Sequence, residues 1–113
     1  MIPQKNRLDS KSFEYVFQKG KSFKSASFFI KIVKNNTKHA RVGVGVTKKL
    51  TKKAVKRNYY KRVLKHLVKN VLENITPGYD VVIIANENMR GQKFDKLQKE
   101  IYELFFKTGI VDK

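Results

Sequence analysis

From Lys48 to Lys65 the chain reads Lys48-Lys49-Leu50-Thr51-Lys52-Lys53-Ala54-Val55-Lys56-Arg57-Asn58-Tyr59-Tyr60-Lys61-Arg62-Val63-Leu64-Lys65. The chemistry open to such a run is the holding of anions. On a helix, Lys53, Arg57, Lys61, Lys65 and Lys69 stand four apart and form one gently winding ridge. Like charges at this spacing destabilise a helix by roughly 0.2–0.5 kcal/mol per pair. Four such pairs with no carboxylate nearby are unfavourable for folding alone, and a phosphate backbone along the ridge reverses the sign. Asn58 is a second clue. Asparagine forms helices poorly because its side chain competes for the backbone. In mid-helix, beside Arg57 and Arg62, its amide offers a donor and an acceptor for a specific hydrogen bond. The bland alternative for such a run is a solvated charged face.

Chemistry by the protein alone finds little support. Metal-dependent phosphodiester cleavage needs clustered carboxylates to hold magnesium, and the nine acidic residues form no such cluster in sequence. His39 and His66 are isolated and read as surface residues rather than general bases. Cysteine is absent, which excludes disulfides, thiolate metal sites and thiol nucleophiles. There is no phosphate loop and no dinucleotide fingerprint. We therefore expect no catalytic residue, no metal ligand and no cofactor on the protein's own side chains.

The distribution of charge says more than its size. Of 26 Lys and Arg, 17 fall between residues 15 and 72, where no Asp or Glu occurs; the other nine basic residues are matched by all nine acids. One contiguous half thus carries the whole net charge of +17. A merely solubilised surface would mix signs, because like charges repel. A single-sign block fits a polyanion that releases its counterions on binding. DNA is the weaker choice, since no helix-turn-helix pattern or dimer seam is visible. A membrane surface is weaker too, because the Leu/Val stripe of the basic helix is needed for the core. The longest apolar run, Val81–Ala85, is too short to span a bilayer. With no signal-peptide pattern either, the expected location is the cytoplasm.

The elements that must position these residues fit one domain over residues 1–113, an α+β sandwich. A first helix is expected at Ser10–Lys19, capped by Ser10, with Phe13, Val16 and Phe17 on one face and Gly20 as its stop. A strand at Ser27–Lys34 would turn Phe28, Ile30 and Ile32 to one side and Phe29, Lys31 and Val33 to the other. Asn35–Lys38 reads as a hairpin loop into a strand at Arg41–Thr47. The basic helix is expected at Thr51–Leu72, with Tyr60, Leu64, Leu67, Val68 and Val71 inward. Tyr79–Ala85 reads as a buried strand. The last helix should span Lys93–Lys107, with Phe94, Leu97, Ile101, Leu104 and Phe105 inward. The strand–helix–strand unit would set two strands side by side.

A single-strand surface also suggests itself, because single strands are held by basic grooves with aromatic platforms. If the faces bearing Phe29 and Lys31 and bearing Gly43 and Gly45 coincide, the glycines would open a shallow trough beside Phe29. Phe13 and Phe17 could wall it. Plain core packing is the competing reading for all three phenylalanines.

The segment around Arg57-Asn58 resembles the signature of the bacterial ribonuclease P protein family, in which an Arg-Asn-rich helix begins soon after a Lys-Lys pair ending a strand. The matching residues are Lys48, Lys49, Ala54, Val55, Arg57, Asn58, Lys61 and Arg62. Similarity extends in order to Asn6-Arg7-Leu8, Phe13, Phe17, Gly20, Arg41-Val42-Gly43 and Asp80–Ala85. Two departures stand out: Tyr59 where the family often has a third basic residue, and Lys65 where it usually has Arg. Lys65 would offer a point charge in place of a planar fork. The resemblance implies a left-handed strand–helix–strand crossover, against the usual right-handed rule.

It also implies a ribozyme RNA partner and precursor tRNA as substrate. Lys48, Lys49, Lys53, Arg57, Asn58, Lys61, Arg62 and Lys65 would face RNA, while Phe13, Phe17, Phe29 and Lys31 would face the tRNA's 5′ leader. An aromatic common in the family's leader cleft is Lys31 here. Magnesium would be required by the RNA-containing holoenzyme, where RNA-bound metal activates water to leave a 5′-phosphate. The rival reading, a ribosomal or general RNA-binding protein, explains the charge but not the ordered match.

Overall fold

The apolar strand Tyr79–Ala85 decides the topology. Val81, Val82 and Ile83 are fully buried on both of its faces, and a strand buried on both faces belongs in a sheet's interior. The computed structural model describes residues 2–51 and 53–111. Its elements run α1 (Ser10–Lys19), β1 (Lys21–Lys24), β2 (Phe28–Lys34), β3 (Arg41–Val46), α2 (Ala54–Leu72), β4 (Tyr79–Ala85) and α3 (Phe94–Thr108). The sheet order is β1-β2-β4-β3, with β4 antiparallel to β2 and parallel to β3. The expected α+β sandwich is the observed class, and α2 does connect two neighbouring parallel strands.

The hairpin expected at Asn35–Lys38 does not form, because β4 lies between the strands it was to join. The loop arches over the entry to β4 instead. Asn35 N–H donates to Gly78 C=O at 2.8 Å, and Gly78 N–H donates to His39 C=O at 3.3 Å. Asn35 Oδ1 accepts from Thr37 N–H at 2.8 Å, which shapes the arch locally. Strand β1 was not anticipated from the sequence. It contains one apolar residue, Phe23, among lysines and serine, as suits a charged edge strand.

Helix α1 has the expected bounds but a different cap. Asp9, not Ser10, is the capping residue, and its carboxylate accepts the Ser12 N–H at 2.7 Å. That bond, above all, holds the Asp9 carboxyl below its ordinary value. Gly20 follows the helix, and glycine is needed there for a steric reason: a Cβ would lie 2.5 Å from the Val16 carbonyl oxygen. Helix α2 starts at Ala54 rather than Thr51, and the Thr51 hydroxyl accepts the Lys53 N–H at 3.2 Å. The expected Phe94 does not join the core. It opens α3 a turn ahead of Leu97 and remains 43% exposed.

Alternation along the strands separates two faces. Phe28, Ile30 and Ile32 join Val81, Ile83 and Ala85, Val42 and Val46, and the inward residues of α2 and α3 in the main core. The opposite face carries Phe29, Lys31 and Val33, then Asp80, Val82 and Ile84, then Arg41, Gly43 and Gly45. Helix α1 lies against this second face and buries Val16 completely.

Polar groups fasten the ends of β2. At one end, Arg41 Nε and Nη2 donate to the two Asp80 oxygens at 2.8 and 2.7 Å, and Asn35 Nδ2 donates to Asp80 Oδ1 at 2.6 Å. The Asp80 carboxylate raises the Arg41 pKa above its ordinary value. At the other end, Glu100 accepts from the Ser25 hydroxyl and from Ser27 N–H, the latter at 2.6 Å. Arg41→Met would leave Asp80 buried and without its cation. We expect it to lower stability by about 3 kcal/mol in urea unfolding, near the low end for a buried pair because Arg41 keeps 27% exposure. Adding Asp80→Asn should recover most of that loss; no recovery would show that the charge was not the cause.

Candidate nucleic-acid interface

Aromatic rings and ammonium groups converge at the end of the sheet that α1 leaves uncovered. Phe29 pairs across β4 with Ile84, which in turn pairs with Gly45, so these three form one rung of the second face. Phe17 meets Phe29 edge-on, with ring centroids 6.4 Å apart and planes at 76°. Lys24 and Lys31 each place Nζ over the Phe29 ring at 5.6 Å from its centroid, and Lys31 also lies 5.8 Å from that of Phe17. A groove of about 370 Å³ opens here, lined by Phe17, Lys24, Phe29, Thr47, Ile84 and Asn86 among others.

The groove combines the two things a single strand needs. Half-buried Phe29 and exposed Phe17 offer stacking surface, and the two ammonium groups beside them can meet phosphates. Thr47 adds a polar contact, since its Oγ1 is buried without a hydrogen-bond partner among the described residues. Such a hydroxyl can still donate and accept. The sequence reading singled out Phe17, Phe29 and Lys31 but not Lys24, Thr47, Ile84 or Asn86 as groove residues. Strand alternation could have found Thr47; Ile84 and Lys24 needed the true strand order.

The two sheet faces do coincide, as the trough required, but the glycines do not lie beside Phe29. Strand β4 stands between them, and Phe13 fills the space they leave. A Cβ on Gly43 would come within 2.5 Å of Phe13 Cδ2, and one on Gly45 within 3.7 Å of Phe13 Cζ. Phe13 therefore floors a different cleft of about 250 Å³, shared with Arg7, Leu8, Gly43 and Lys65. The N-terminal segment is tied to β3 there by Leu8 N–H donating to Val42 C=O at 3.1 Å.

The basic residues form two surfaces rather than one exposed ridge. Arg57 and Lys61 are half-buried at the flank of the α2 core stripe, and Lys65 and Lys69 wind out to solvent. Long basic side chains can cover apolar surface with their stems while keeping their charge hydrated. Lys53 is the N-cap of α2 and contributes no capping side chain, and no acid occupies the first turn. Lys48 and Lys49 are exposed around fully buried Leu50, which pins the loop after β3. Asn58 and Arg62 are exposed on α2. Lys65 is the point where this helix meets the Phe13 cleft.

The donor set of the described residues does not fit a magnesium ion. Among the described residues, no three of His, Cys, Asp or Glu come together as a metal site. The carboxylates at the sheet ends, Asp80 and Glu100, are committed to Arg41, Asn35, Ser25 and Ser27. Among the described residues, no helix is long and apolar enough to cross a membrane.

Comparison with known proteins gives a consistent result. A family model described as Ribonuclease P matches residues 2–109. The ribonuclease P protein component of Clostridioides difficile is 38% identical over 98 residues, covering 87% of this chain and 86% of that relative. That of Synechocystis is 31% identical over 113 residues, covering 98% and 91%. Among solved structures, the Thermotoga maritima RNase P protein superimposes with a TM-score of 0.76 at 27% identity, covering 88% of this chain and 94% of that one. The Staphylococcus aureus RNase P protein gives 0.81 at 24% identity over 95% and 98%, a likeness of fold.

The charged surface of α2 has a direct test. Replacing Lys53, Arg57, Lys61 and Arg62 together with Gln should weaken binding to a structured RNA and flatten its salt dependence. Each lost phosphate contact changes the log–log slope by roughly 0.7–0.9. A slope equal to that of the parent would remove α2 from the interface.

Proposed function

The chain belongs to the ribonuclease P protein family, and we propose that it works as the protein subunit of that ribonucleoprotein, docking on the catalytic RNA through α2 and holding the 5′ leader of precursor tRNA in the Phe29 groove. Ribonuclease P is an endoribonuclease in which the RNA is the catalyst, so the protein's part is to bind and to position. The observation that carries this reading is the separation of two surfaces. The cations of Lys48–Lys65 and the Phe17–Phe29 groove are built on different elements, and each has its own chemistry.

The roles follow from that chemistry. Arg57, Lys61, Arg62 and Lys65, with Lys48, Lys49 and Lys53 before them, neutralise phosphates of the catalytic RNA, and Asn58 adds a directional hydrogen bond. Phe29 and Phe17 stack leader bases, and Lys31 and Lys24 meet the leader's phosphates. Phe13 supports the leader side by packing on Gly43, where it fixes α1 to the sheet. Holding the leader raises affinity for precursor over product. Magnesium is assigned to the RNA of the holoenzyme, and the proposed setting is the cytoplasm, alongside precursor tRNA.

Two measurements test this. Purified protein with magnesium should leave precursor tRNA uncut, and adding a ribonuclease P RNA at low salt and limiting magnesium should produce leader removal that the protein stimulates. Cleavage without the RNA would overturn the assignment of roles. Phe29→Ala, checked for folding by circular dichroism, should weaken holoenzyme binding to precursor by about 5- to 150-fold. Mature tRNA, which lacks a leader, should bind as before. Equal weakening toward both ligands would take Phe29 out of the leader site.

A further inference from the structure

Tyr59 is an apolar ring at the centre of a cationic surface, and neither the core nor the Phe29 groove uses it. It is 55% exposed in the first half of α2. Its neighbour Tyr60 is half-buried and packs against the main core. The two rings meet edge-on, with centroids 5.3 Å apart and planes at 71°. Tyr59 thus has one ring contact, with a residue that itself packs on the core, and leaves the rest of its surface open. Helical spacing puts Lys56 three residues before it and Arg62 three residues after it, on the outward side of α2. Both are exposed, and Val55, one turn earlier, is 81% exposed. The row Lys56–Tyr59–Arg62 lies away from the half-buried flank of Arg57 and Lys61.

An exposed ring flanked at helical spacing by two cations, in a stretch of chain with no carboxylate, has the composition of a single-nucleotide clamp. We propose that Tyr59 stacks on an unpaired base of the catalytic RNA while Lys56 and Arg62 take the phosphates on either side. The positive charge on both flanks selects a nucleic acid over an apolar protein surface as the occupant. Stacking tolerates any base, so this contact adds affinity and fixes register without reading sequence. At this position the docking helix exchanges an ionic contact for an aromatic one. The proposal rests on α2 being the surface that docks on RNA.

The chain contains no tryptophan, so Tyr59→Trp introduces a single indole as a reporter. Titrating this variant with the cognate ribonuclease P RNA, free of tRNA, should quench its emission in step with binding, at near-parental affinity. Tyr15→Trp on α1, where Tyr15 is 57% exposed, should bind without comparable quenching, which separates stacking from mere proximity to RNA. Tyr59→Ala should weaken binding by about 5- to 150-fold, with the log–log salt slope unchanged because no charge is lost, whereas Tyr59→Phe should bind like the parent. Emission unaltered at saturation, or parental affinity in Tyr59→Ala, would overturn the clamp while leaving the family role intact. A ring reserved for a protein partner would give that flat result. If the parent itself fails to bind the RNA, the proposed role of α2 fails and the clamp with it.

Discussion

Asp80 holds three segments of chain at one point, and the arrangement of the sheet depends on that grip. Its carboxylate takes Arg41 from the start of β3 and Asn35 from the end of β2, while its own backbone begins β4. With these bonds made, β4 enters between the two strands and brings Val82 and Ile84 onto the face that α1 covers only in part. A pair buried to this degree contributes modest net stability, because desolvation offsets much of the attraction. What it supplies is register. A shift of one residue would turn Ile84 and Phe29 to opposite faces and abolish the groove.

Charge segregation acts on the same architecture. Residues 15–72 contain no acid, so carboxylates from later in the chain must reach back to meet the polar groups of this half. Asp80 and Glu100 do so at opposite ends of β2 and are occupied by those bonds. The surfaces around Lys24, Lys31 and the outward side of α2 therefore keep their positive potential. Repulsion among these cations disfavours the free fold slightly, and a bound polyanion relieves it by neutralising them, with release of its counterions as a further gain. Affinity and folding are coupled through the same charges.

Local signals carried most of the elements. Period and punctuation located α1 and β4 to the residue, and α2, β2, β3 and α3 to within a few positions. The inward residues Leu64, Leu67, Val68, Val71, Leu97, Ile101, Leu104 and Phe105 were all legible as helical stripes. What failed was long-range. The Asn35–Lys38 loop has the composition of a hairpin, and nothing near it announces that a strand more than forty residues later will separate the two arms. That error also misplaced the glycines relative to Phe29. Strand β1 was invisible because an edge strand rich in lysine has almost no apolar pattern. In the basic helix, spacing alone treated Arg57 and Lys61 as equal to Lys65, whereas their position beside the core stripe leaves them half-buried. Tyr59 showed itself in the sequence only as a departure from a family pattern, and the packing of its ring partner Tyr60 on the core is a tertiary fact.

The sheet order also explains how the basic surface of α2 and the Phe29 groove can coexist without overlapping. Helix α2 packs on the core side of the sheet and the Phe29 groove opens on the other, so the sheet's thickness separates them. They approach each other at the β3 edge, where Lys65 on α2 faces Phe13 on α1 across Gly43. A side chain at Gly43 would push Phe13 outward and displace α1, and with it Phe17, from the groove wall. The bare glycine is thus what lets Phe13 of α1 pack onto β3 beside Lys65 of α2. A lysine at the junction suits this placement: its flexible stem carries one compact charge that can turn toward either surface. An arginine there would hold a planar fork and favour one phosphate geometry. The pairing of Gly43 with Lys65 therefore keeps the two surfaces near each other while leaving the contact between them adaptable.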